Sequence, residues 1–156
     1  MGGGRCGYVA SRGPLTTENG GAAGVVSLTI PAKAEYIALG RLALVGILRP
    51  LAIEPEVVAD IKLALTEACT NSIRHAYADG RTGEVEIRYA LGEGLLEVEI
   101  SDDGEGFDLD LLETGGNELD EGGLGIAIIR AVTDDLSVEV RPNGAGSSLR
   151  FAKHLT

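Results

Sequence analysis

The chain of 156 residues has no Trp, two Phe, four Tyr, one Met and only two Cys. Scarce cysteine excludes two classes at once. Cys6 stands in a glycine-rich opening and Cys69 inside a helical pattern, so neither a disulfide framework nor a CxxC metal site can be assembled, and a reducing compartment is expected. Positive charge is scarce too: 13 Lys and Arg stand against 24 Asp and Glu, a net charge of −11. Affinity for a phosphate backbone comes mainly from clustered Lys and Arg, so direct nucleic-acid binding is not expected. No apolar run is long enough to span a bilayer, and the opening lacks the continuous apolar stretch of a signal peptide. The expectation is a cytoplasmic protein with no membrane segment. Residues 1–24 would be a flexible leader and 25–156 a single domain, of a size that buries roughly 70% of its unfolded surface.

What is abundant is glycine, at 23 residues, and clean periodicity. Val25 to Ile30 alternates as a strand that ends at Pro31. A helix is predicted from about Lys33 to Leu48, burying Ala34, Ile37, Ala38, Leu42, Val45 and Leu48 and closed by Arg49-Pro50. Pro55 opens a second helix that runs to about Tyr77. Val85, Ile87 and Tyr89 alternate with charged residues, as do Leu96, Val98 and Ile100, with Leu91-Gly92-Glu93-Gly94 between them as a hairpin turn. A helix follows Gly122 to Gly125. Then Leu136, Val138 and Val140 form a strand, Pro142-Asn143-Gly144 a turn, and Leu149 with Phe151 the last strand. This order predicts an α+β fold of two layers, a largely antiparallel mixed sheet with helices on one face.

The long central helix carries the first candidate chemistry. Steps of four residues drift slowly around a helix axis, so Glu67, Asn71 and His75 share one flank, while Ile61, Ala64, Leu65, Ala68, Ser72 and Ala76 form an apolar one. Glu67 can take a proton, and the amide oxygen of Asn71 suits a hard cation such as Mg²⁺. Asp102, at the end of the strand through Ile100, could accept a hydrogen bond from an adenine amino group; Gly104 and Gly106 would let the backbone approach the ring. Gly122, Gly123, Leu124 and Gly125 at a helix entry would present free amides to phosphate oxygens. Residues 113–121 show neither helical nor strand period and read as a lid over the phosphates. Each motif also has a plainer reading: a solvated helix flank, a turn after a strand, a loop rich in glycine.

Taken in order and spacing, the central helix with Glu67, Asn71 and His75, the stretch Asp102 to Phe107, the stretch Gly122 to Ile126 and the glycine-bounded Gly146-Ser147-Ser148-Leu149 resemble the ATP-binding superfamily of gyrase, heat-shock chaperone, histidine kinase and mismatch-repair ATPase domains. The match is nearest to the anti-sigma factor serine/threonine kinases, from about Val26 to Phe151. The resemblance implies a Bergerat-type fold, ATP and Mg²⁺ as cofactors, and Asp102 as the adenine-selecting residue. It implies a sigma factor and an anti-anti-sigma antagonist as partners, and a homodimer. It places Arg41 on the first helix as a partner contact, with a solvated charge as the alternative. Ser147 and Ser148 fall where the family has a threonine beside the adenine-binding aspartate, and Ser148 is taken as the candidate. His75 would touch phosphate or lid, or satisfy a local backbone group. No Lys or Arg lies between Phe107 and Ile129, so cationic help to a transferring phosphoryl group would come from Mg²⁺, Arg74 or Arg130. The expected function is a serine kinase acting on an antagonist, with Glu67 as base. The alternatives are a non-catalytic nucleotide-dependent switch and a detached histidine-kinase-like module.

Overall fold

A computed structural model describes residues 24–76, 82–104, 121–140 and 146–156. The chain runs β1 (Gly24–Pro31), a 3-10 turn (Ala34–Tyr36), α1 (Ile37–Leu48), α2 (Pro55–Ala76), β2 (Glu84–Leu91), β3 (Leu95–Asp102), α3 (Glu121–Val132), β4 (Asp135–Val140) and β5 (Ser147–His154). The strands form one sheet in the order β1-β2-β3-β5-β4. Every described pairing is antiparallel, in keeping with the largely antiparallel sheet expected from the sequence. The leader before Gly24, Gly106, the lid and the Pro142-Asn143-Gly144 turn lie outside the described residues.

Alternation along the strands decides which face takes the helices. Val85, Ile87 and Tyr89 of β2, Leu96, Val98 and Ile100 of β3, and Leu149 and Phe151 of β5 are buried and join Ile61, Leu65 and Ile129 from the helices in one core. The opposite residues are mostly polar. Arg88, Glu99 and Arg150 follow one another across three strands, and Arg150 Nη2 binds Glu99 Oε2 at 2.6 Å. A face so charged is compatible with water, which is why the fold stops at two layers.

The first helix differs from its expected face. Ile37, Gly40, Leu44 and Leu48 are the buried residues of α1, whereas Leu42 is 67% exposed and Leu39 and Val45 are exposed as well. Ala34 and Ala38 are also exposed. Apolar residues surround this helix, and Arg41 is its only charged one, so periodicity offers no unique stripe. The choice is made at Gly40. Its carbonyl accepts a 2.6 Å hydrogen bond from the buried Tyr89 hydroxyl, and a Cβ there would stand 2.9 Å from Ile87 Cδ1. A side chain at this position would have to displace the tip of Ile87 for the helix backbone to lie this near the sheet.

Candidate active site

The described side chains of the central helix α2 follow the expected pattern, with Ala76 of the apolar flank outside the described side chains. Ile61, Ala64, Leu65, Ala68, Cys69 and Ser72 are buried toward the sheet, Glu67 is half-buried, and Asn71 is only 2% exposed. His75 lies in the last turn of the helix, with its side chain outside the described residues. Arg74 is exposed on the same helix.

Helix α3 packs antiparallel to α2. At one end, Lys153 Nζ donates to Asp60 Oδ2 at 3.3 Å and to the Val132 carbonyl at 2.8 Å, fastening the start of α2 to the end of α3. At the other end, Gly125 lies against the polar seam: a Cβ built on it would sit 3.0 Å from Glu67 Oε2 and 3.1 Å from Asn71 Nδ2. Three of the residues picked out from the sequence therefore converge. Among the described residues, the Asn71 carboxamide nitrogen is the one buried side-chain polar atom without a hydrogen-bond partner. Leaving such a group unmet costs about 1–3 kcal/mol, so a ligand that completes it is favoured.

The described part of α3 starts at Glu121, and the amides of its first turn are those of Glu121 to Gly123. Leu124 and Gly125 follow that turn within the helix. Leu124 is 49% exposed, and Gly125 is buried against α2. Arg130 is in the last turn of α3, the end remote from those amides.

Asp102 ends β3 on the helix-facing side and is 4% exposed. Its Oδ1 accepts the Gly104 amide at 3.0 Å and its Oδ2 accepts the Ser147 hydroxyl at 3.1 Å. Here the structure corrects the choice of serine. Ser147 pairs with Asp102 across β3 and β5, whereas Ser148 pairs with Ser101 and points to the opposite face. Strand alternation, counted back from the buried Leu149 and Phe151, already carried that signal. Gly146 was missed. Its φ of +114° is disfavoured for any other residue, and a Cβ there would collide with the Asp102 carbonyl, so this glycine lets β5 begin directly behind the aspartate.

Arg41 lies on the other side of α2. Its Nη1 donates to Thr66 Oγ1 at 3.3 Å, at a point roughly 140° around the helix from Asn71 at 100° per residue. It is half-buried rather than freely solvated, and Thr66 as its partner was not foreseen. Beside it, burial pushes the Cys69 thiol up to about 12, with the Arg41 charge a smaller opposing influence. The thiol is therefore protonated at neutral pH and is no nucleophile.

Comparison with known proteins places this geometry. The model of the histidine kinase-like ATPase domain matches residues 30–153. The serine-protein kinase RsbW of Bacillus subtilis is 32% identical over 139 residues, which cover 83% of this chain and 85% of the relative. The RsbW of Listeria innocua is 39% identical over 122 residues, covering 72% and 78%. In fold, the chain is similar to the structure of the RsbU and RsbW domains of Rv1364c from Mycobacterium tuberculosis, at TM-score 0.62 and 19% identity, over 85% of this chain and 32% of that one. It is also similar to a chain of the SiaB–SiaC complex from Pseudomonas aeruginosa, at TM-score 0.58 and 19% identity, over 81% and 89%. The chain belongs to the histidine kinase-like ATPase family and, within it, to the anti-sigma factor serine-protein kinases.

Proposed function

We propose that the chain binds Mg-ATP among α2, α3 and the end of β3, transfers the γ-phosphoryl group to a serine of an antagonist protein, and otherwise holds a sigma factor inactive. The observation that carries this reading is the convergence of Glu67, Asn71 and Gly125 around a buried carboxamide whose nitrogen has no partner. Asn71 fits a metal–nucleotide ligand: its oxygen is a hard donor, and its nitrogen can meet a phosphate oxygen. Mg²⁺, when bound, neutralises charge on the phosphates. Asn71 would hold it together with those phosphates. The open amides of Glu121 to Gly123 would receive phosphate oxygens at the positive end of the α3 dipole.

Glu67 would accept the proton of the serine hydroxyl, a contribution of about 10²–10⁴ in rate for a positioned base. Asp102 would select adenine. Gly104 and Ser147 each occupy one of its oxygens, and a carboxylate offers about four lone-pair sites, so acceptor capacity is left for the exocyclic amine. Partner binding would fall to α1, where Arg41 borders the exposed Leu42 and Val45, and the same apolar face with the edge-strand residues Val25 and Val26 would join a second copy. Such a protein works where sigma factors are, in the cytoplasm, and none of its described helices is long and apolar enough to cross a membrane.

Calorimetry with ATP, ADP and GTP tests the site, and transfer of ³²P from ATP to a cognate antagonist tests the reaction. The expected result is magnesium-dependent binding of adenine nucleotides that weakens strongly in Asp102→Asn. Equal affinity for GTP, or an Asp102→Asn variant with unchanged affinity, would remove the adenine assignment; absence of transfer would leave a nucleotide-dependent switch.

A further inference from the structure

We infer that Gly125 is a positioning residue: it holds the Glu67 carboxylate and the Asn71 carboxamide at a set distance from the phosphate-facing first turn of α3. This rests on the reading of Glu67 as base and Asn71 as a nucleotide ligand.

Glycine in a helix interior is disfavoured by about 1 kcal/mol relative to alanine, so its presence in the second turn of α3 needs a cause. Backbone freedom is not that cause, because Gly125 lies within regular helix and is not among the residues of positive φ. Amide donation to a ligand is not the cause either, since the free amides of this helix precede it. What remains is space. A methyl at this position would meet Glu67 Oε2 at 3.0 Å, Asn71 Nδ2 at 3.1 Å and Asn71 Oδ1 at 3.3 Å, all closer than ordinary van der Waals contact.

The two neighbours can yield to different degrees. Asn71 is 2% exposed and enclosed by the core, whereas Glu67 is half-buried with water on one side. A methyl at 125 would therefore be relieved chiefly by the Glu67 carboxylate swinging outward, while the carboxamide shifts by a few tenths of an ångström. The same α3 turn that would hold the phosphates thus also sets where the base stands. Lys153, bridging Asp60 and the Val132 carbonyl at the far end of both helices, prevents α3 from simply lifting away.

The test is Gly125→Ala in the full chain, with ATP affinity from calorimetry and turnover from ³²P transfer. Turnover should fall about 10-fold, since a shift of a few tenths of an ångström is a fraction of the ~1 Å misplacement that can cost about 100-fold, while the ATP dissociation constant moves less than about threefold. In a Glu67→Asp background the shorter side chain withdraws from the methyl, so adding Gly125→Ala should lower turnover by less than about threefold, a coupling that a merely structural glycine would not show. Wild-type turnover in Gly125→Ala overturns the inference. So does an equal loss in both backgrounds, or a loss of ATP affinity that accounts for the loss of turnover. If Gly125→Ala alone fails to fold, recovery of the fold in the Glu67→Asp background supports the contact, and failure there overturns it. Full transfer by Glu67→Ala sinks the underlying reading; an inactive Glu67→Ala beside an unimpaired Gly125→Ala sinks only the positioning.

Discussion

Helices α1 and α2 cover the same sheet side by side, yet they hold their places by different means. Helix α2 is strongly two-sided: small and aliphatic residues go inward and Glu67, Thr70 and Arg74 outward, so burial alone orients it. Helix α1 is apolar nearly all round and is oriented by one glycine and one tyrosine hydroxyl. A helix that leaves Leu39, Leu42 and Val45 in water after docking carries an apolar surface for association. A helix whose outer flank is polar and partly enclosed by α3 offers side chains for chemistry. Under the proposed function, partner binding and catalysis would fall on opposite flanks of α2, which Arg41 touches on one side and Gly125 on the other.

The largest effect that could break this division is on α2. Glu67→Ala should retain nucleotide and lose transfer by about 100-fold or more, and Asn71→Ala should lose both binding and transfer, as measured by calorimetry and phosphoryl-transfer assays. Next is Arg41→Ala on α1. It should leave ATP affinity nearly intact while weakening the complex with a sigma factor or antagonist by roughly thirtyfold, the equivalent of about 2 kcal/mol for an interface arginine. Equal affinities for both partners would reduce Arg41 to a fastener between α1 and Thr66.

A smaller effect sharpens how α1 is held. Gly40→Ala should lower stability by about 1–3 kcal/mol in denaturant melts, because the methyl overpacks against Ile87, whereas Leu42→Ala, at a largely exposed position, should change it by less than about 0.5 kcal/mol. The reverse order would mean that the helix docks on its other face. The mildest test concerns alkali. Cys69 has its pKa raised from 9.0 to about 12 by burial, so the protonated thiol is favoured by the fold; that contribution is intact below about pH 9 and is lost as pH rises from 9 toward 12. Cys69→Ala should flatten this part of the pH–stability curve, and the native thiol should resist alkylation at neutral pH. Rapid labelling there would show that α1 and α2 do not seal the core between them.

Much of the site could be read from the chain before any coordinates. Asp102 is a carboxylate at a position where strand period demands burial, and a buried polar group needs a reason; Glu67 and Asn71 stand one helical turn apart on the flank beside the apolar one. The serine was misassigned where alternation was not carried one residue further, to Ser147. The outward turn of Leu42 and the contact of Gly125 could not be read in the same way. Each depends on what a neighbouring element, distant in sequence, places opposite: Tyr89 and Ile87 for α1, Glu67 and Asn71 for α3.

By itself, the sequence determined the elements, the two-layer α+β arrangement, the inward face of α2 and each strand, and the family to which the motifs belong. All of these follow from local period and from the order of motifs along the chain. Tertiary structure decided the face of the apolar helix α1, the choice of Ser147 over Ser148 beside Asp102, the flank on which Arg41 meets α2, and the space that only glycine leaves at position 125. The physical reason is that burial gives a direction wherever polar and apolar residues alternate. Where a surface is uniformly apolar, or a contact turns on the volume of one methyl group, the outcome is set by atoms that the fold brings from elsewhere in the chain.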